Sequence, residues 1–141
     1  MTLEQFVIDN DVEYCKNLIR PEGMAQIAKA MGVTIGKELE DYILRYGYLA
    51  YQHVELYGIN SKQMLDSDMV KQTICLHERY PEAQGYIALE NLGEGDYRLV
   101  DQNDHIYEFD ARLRGLCPAK EKLNEYILHR FGFVNTKEGE M

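Results

Sequence analysis

Apolar residues recur at helical spacing through the first third of this 141-residue chain and at strand spacing from Tyr48 onward. That change of period decides what the chain can fold into. Leu3, Val7, Tyr14 and Leu18 lie at helical intervals behind Thr2-x-x-Gln5, a capping box in which each side chain accepts one orphan backbone N–H. Pro21 stands where a first-turn proline belongs, followed by Met24, Ile27, Ala28 and Met31 on one face and Gly32 as the stop. Ile35, Leu39, Tyr42, Ile43 and Tyr46 form a third stripe that ends at Gly47, with Thr34 as its expected cap. Residues 48–52 and 53–57 are then rich in strand formers and stop at Gly58. Leu65, Met69, Leu76 and Tyr80 return to helical spacing before Pro81.

Residues 86–90, 97–100 and 106–109 read as three short strands joined by turns at 93–95 and 101–104, which predicts an antiparallel meander. Pro118 is expected to open the last helix, with Leu123, Tyr126, Ile127 and Phe131 inward and Gly132 closing it. Helices, then strands interrupted by one helix, then a helix: this order predicts an α+β fold, not alternating βαβ. One central, mostly antiparallel sheet with flanking helices is expected. No repeat or linker divides the chain, so residues 1–134 are expected to form one domain and 135–141 a frayed polar tail.

Charge narrows the function. With 24 acidic against 15 basic residues, the net charge is −9. Free-standing nucleic-acid binding needs clustered Lys and Arg, and an anionic membrane surface would repel the chain. No stretch approaches the ~18 apolar residues of a membrane span. The N-terminus lacks the basic and apolar regions of a signal peptide. Cys15, Cys75 and Cys117 are odd in number and contain no CxxC pair, which suits a reducing cytoplasm rather than a disulfide framework. A cytoplasmic location is therefore expected, and acidity leaves basic proteins as partners.

The charge is unevenly spread. Residues 1–15 carry −4, residues 16–84 carry −1, and residues 85–110 carry −6, with +2 in the remainder. The −6 comes from Glu90, Glu94, Asp96, Asp101, Asp104, Glu108 and Asp110 against Arg98 alone. Strands lie about 4.8 Å apart, so these carboxylates are expected close together in space. Acids are ordinary turn residues, but a face of this kind would also steer a basic partner, and these seven are the candidate partner-binding residues.

No catalytic constellation emerges. Asp101-x-Asn103-x-His105 opens like a calcium loop, yet Ile106 stands at the required glycine and Arg112 at the bidentate glutamate. Gly93-x-Gly95 is too short and too acidic at its flanks to cradle phosphate. His53, His77, His105 and His129 lack metal-ligand spacing, and Cys75 and His77 project about 160° apart around a helix. The tyrosines Tyr46, Tyr48, Tyr51 and Tyr57 suit either a binding surface or, more commonly, strands packed on the third helix. No metal and no cofactor is expected, and the chain reads as a non-enzyme.

The combination of elements is familiar. A helix ends in Tyr46-Gly47, a strand pair ends at Gly58, and a long helix precedes Ile87-Ala88-Leu89-Glu90-Asn91-Leu92-Gly93-Glu94-Gly95-Asp96-Tyr97-Arg98-Leu99-Val100-Asp101. With Ile106-Tyr107-Glu108-Phe109-Asp110 and a closing helix, residues 20–131 resemble the SUKH superfamily, the Smi/Knr type of domain. Many members carry a glycine in the turn where this chain has Asp104-His105, a place that Asn103 or Asp104 can take in the left-handed conformation. The resemblance implies an α+β domain without catalytic residues. For bacterial members it implies an immunity protein that neutralises a polymorphic or contact-dependent toxin by direct binding, and many such toxins are basic. For fungal members it implies a regulator of cell-wall synthesis acting through an endogenous protein partner. Oligomeric state stays open at this level.

Overall fold

The computed structural model describes residues 1–15, 20–59 and 68–139, with residues 135–139 through their backbone alone. The capping box forms as its residues require: Thr2 Oγ1 accepts the Gln5 N–H at 3.1 Å, and Gln5 Oε1 accepts the Thr2 N–H at 3.2 Å. It starts α1 (Leu3–Asp9), which buries Leu3, Phe6 and Val7. Tyr14 belongs not to this helix but to β1 (Glu13–Tyr14), and Leu18 lies outside the described residues. After a 3-10 turn at Pro21–Gly23 comes α2 (Met24–Met31), closed by Gly32 at φ 68°. Next, α3 (Lys37–Tyr46) buries Leu39, Tyr42, Ile43 and Tyr46.

The hairpin β2 (Leu49–Tyr51) and β3 (Val54–Glu55) pairs with β1 in the order β1-β2-β3. Then α4 (Met69–Arg79) begins under an Asp68 cap that accepts the Lys71 N–H at 2.9 Å. Leu65, expected on this helix, lies outside the described residues. The meander follows as β4 (Ile87–Gly93), β5 (Asp96–Val100) and β6 (His105–Asp110). A fourth strand, β7 (Gly115–Lys122), and α5 (Leu123–Gly139) complete the chain. All pairings within the two sheets are antiparallel, and the α+β class stands.

Three local expectations are corrected. The strands form two sheets, of three and four strands, rather than one. β3 is only two residues long, and the chain after it meets β4 where the Tyr57 N–H donates to the Leu89 carbonyl at 2.7 Å. Pro118 does not open a helix: it sits in β7 opposite Tyr107. β7 is an edge strand, where a missing N–H need cost no ladder bond. Finally, α5 runs through Gly132 to Gly139. A mid-helix glycine costs only about 1 kcal/mol against alanine, and buried Phe131 and Val134 hold the helix down on both sides of it.

One continuous core joins the layers, from Phe6 and Leu39 through Leu49 and Leu89 to Phe109 and Phe131. Phe6 packs edge-on to Tyr51 at 5.4 Å and stacks with Phe131 at 5.9 Å. The tyrosines Tyr46, Tyr48, Tyr51 and Tyr57 are all buried, so they are packing residues. Deeper still, the Tyr42 hydroxyl donates to the Tyr57 carbonyl at 2.8 Å and accepts the Leu49 N–H at 3.2 Å.

Candidate protein-binding surface

The meander does not hold its seven acids as one face. Glu90 and Asp104 are buried, at 3% and 5% exposure, each among partners from this chain. Glu90 accepts the Tyr126 hydroxyl at 2.6 Å and pairs with Arg130 at 3.0 Å, both from α5. Burial works to lower the Arg130 pKa, but the hydrogen bond and charge of Glu90 outweigh it and leave it raised. Burial, and then Glu90, push the Tyr126 phenol up.

Asp104 holds the start of α3. Its two carboxylate oxygens accept the Glu38 and Leu39 N–H groups at 3.0 Å each. Thr34 therefore does not cap this helix: the N-cap position is Gly36, with no side-chain bond, and the acid comes from 66 residues away in the chain. Glycine is needed there because a Cβ on residue 36 would stand 2.5 Å from Asp104 Oδ1. Asp104 itself has φ 66°, the left-handed conformation that the turn requires. The Asp104 carbonyl accepts the Leu123 N–H at 2.9 Å, and Glu38 accepts the Asn124 N–H at 2.9 Å, so α3, the β5–β6 turn and α5 start from one junction.

Asp101 is a turn residue: its Oδ1 accepts the Asn103 and His105 N–H groups, both at 2.9 Å. The remaining four acids gather at the opposite end of the meander. Asp96 stands directly across from Asp110, and Arg98 across from Glu108, so these four share a face. Arg98 pairs with Asp96 at 2.7 Å and lies 3.8 Å from Glu108. Arg112 holds the Asp110 carboxyl below its usual range by hydrogen bonding. Glu94 projects from the adjoining β4–β5 turn, exposed and without an ion pair among the described residues. The surface thus keeps Glu94, Asp96, Glu108 and Asp110, interleaved with Arg98 and Arg112.

A feature invisible in the sequence lies beside this end. Between β3 and β4 opens a cleft of about 480 Å³, lined by His53, Glu55 and Tyr57 on one wall and by residues 90–93 on the other, with Arg130. Asn91, Leu92 and Gly93 are exposed there. Among the described residues no three His, Cys, Asp or Glu side chains are grouped to hold a metal, and no helix is long and apolar enough to cross a membrane.

The family model SUKH_5, described as SMI1-KNR4 cell-wall, matches residues 4–131. No curated protein matches the chain.

Proposed function

The chain belongs to the SMI1-KNR4 family of SUKH domains, and from that premise we propose that it is a non-catalytic, cytoplasmic immunity protein that neutralises one cognate toxin by direct binding. The observation that carries this reading is the outer end of the meander, where Glu94 and Glu108 are exposed and Asp96 and Asp110 half-buried beside Arg98 and Arg112, on a chain of net charge −9. Four carboxylates against the two guanidiniums of Arg98 and Arg112 leave this end negative, which attracts a basic surface over a Debye length of about 8 Å and raises its association rate. Glu90 and Asp104 contribute through the fold and not by contact, because each is buried among partners of this chain.

The test is the combined variant Glu94→Gln, Asp96→Asn, Glu108→Gln against the cognate toxin domain, sought first in the reading frame beside this gene. Association should slow and lose part of its salt dependence, with dissociation little changed. Equal association rates for variant and wild type at low salt would overturn the acidic-end reading. The family's description as cell-wall proteins favours a second reading, a scaffold or regulator acting through an endogenous partner. An isolated gene, with affinity capture returning a cell-wall synthesis protein instead of a toxin, would support it.

A further inference from the structure

The two sheets leave two strand edges facing each other across one gap. β3 is the last strand of the order β1-β2-β3, and β4 the first of β4-β5-β6-β7. In the chain just after β3 the backbone groups alternate in direction: Leu56 N–H turns to Leu49 in β2, while Tyr57 N–H turns away to Leu89 in β4. Two residues earlier, Glu55 shares the direction of Tyr57, so its backbone groups point toward the cleft. Past Leu89 the edges part company. Register shifts in the β4–β5 pairing fall at 88–90 and 91–93, and no described strand pairs with the outer side of β4 at 91–93.

The far edge of the larger sheet carries proline and lysine, and this one does not. β7 carries Pro118, Lys120 and Lys122, residues that discourage a further strand. Residues 91–93 carry neither proline nor lysine; there the Asn91 side chain accepts the Gly93 N–H at 2.8 Å, which leaves the Asn91 backbone groups and the Gly93 carbonyl to meet a partner strand. A strand takes up about 4.8 Å by about 10 Å in cross-section, so the cleft's volume of about 480 Å³ equals that of roughly three extended residues. Its charge selects the occupant. Glu90 and Arg130 neutralise one another, which leaves Glu55 as the cleft charge without an ion pair among the described residues.

We propose that the cleft between β3 and β4 accepts an extended, basic segment of a partner protein, which inserts as a strand between the two edges and joins the three- and four-stranded sheets. Backbone hydrogen bonds to both edges supply the affinity, and a Lys or Arg side chain facing Glu55 supplies the preference. This goes beyond the acidic-end reading and does not depend on it, since Glu55 lies outside that cluster.

The probe is an acetylated octapeptide of repeated Lys-Thr-Lys-Val, added to the whole chain and followed by amide chemical shifts and hydrogen exchange. Companion peptides carry Glu in place of Lys, or N-methyl groups on the odd or the even residues. The lysine peptide should bind and slow exchange at Glu55 and 91–93 by at least tenfold, and the glutamate peptide should not. An inserted strand uses both of its sides, so either N-methylated series should weaken binding at least tenfold, and Glu55→Lys should weaken it too. Three results would each overturn the proposal: no binding at millimolar peptide, perturbations confined to the 94–110 acids, or sensitivity to only one N-methylated series. The last would mean addition to a single edge. The Glu94, Asp96 and Glu108 variant should keep peptide binding, which separates failure here from failure of the acidic-end reading.

Discussion

Asp104 carries more of this fold than any surface acid, because one carboxylate satisfies two N–H groups at the start of α3. Asp104→Ala should cost about 1–2 kcal/mol in urea denaturation, the range of a lost helix cap, and Asp104→Asn should cost less because one acceptor survives. Gly36→Ala should give a similar loss by displacing that carboxylate, and the double variant should fall short of additivity. At the other buried acid, Arg130→Met would leave Glu90 charged without its partner, a change that costs about 3–5 kcal/mol. Adding Glu90→Leu to Arg130→Met should recover part of that loss, again read by denaturation. A third acid predicts a pH effect. Arg114 grips Glu82 through two contacts of 2.7 Å, and this hydrogen bonding holds the carboxyl at about 2 instead of 4.5. Its contribution is complete above pH 4.5 and is lost as pH falls toward 2. The stability gap between wild type and Arg114→Ala should therefore be constant from pH 7 to 5 and shrink by pH 3.

Among the elements, β7 and α5 are where local patterns mislead. Pro118 resembles a helix opener, yet an edge strand tolerates it equally well, and only the pairing with β6 distinguishes the two. Replacing Pro118, Lys120 and Lys122 together by Thr should expose a pairable edge. Sedimentation should then show concentration-dependent association that wild type lacks. In α5, Gly132 resembles a stop but is an interior residue, and a Cβ there meets nothing within 4 Å. Gly132→Ala should stabilise the chain by about 0.5–1 kcal/mol, seen as a raised midpoint in thermal unfolding.

For the molecule as a whole, the net charge of −9 overstates the surface field of the meander, since Arg130 and the start of α3 absorb two of its seven acids internally. Much of the architecture is readable from pattern. The Thr2 capping box, the α3 stripe, the glycine stop at Gly32 and the three meander strands are all local, set by side-chain spacing and backbone conformations within a few residues. The candidate site was legible only in part. Glu94, Asp96, Glu108 and Asp110 do gather at one end of the meander, because strand alternation and register place them there. Glu90 and Asp104 are acids of the same 85–110 segment, and nothing in the local sequence separates them from the four at the surface. Their partners stand 36 to 66 residues away, so only packing could decide that they face inward. The division into two sheets and the cleft between β3 and β4 are of the same kind. Alternation determines which residues a strand presents to each face, but an edge pairs or stays open according to what long-range folding sets beside it.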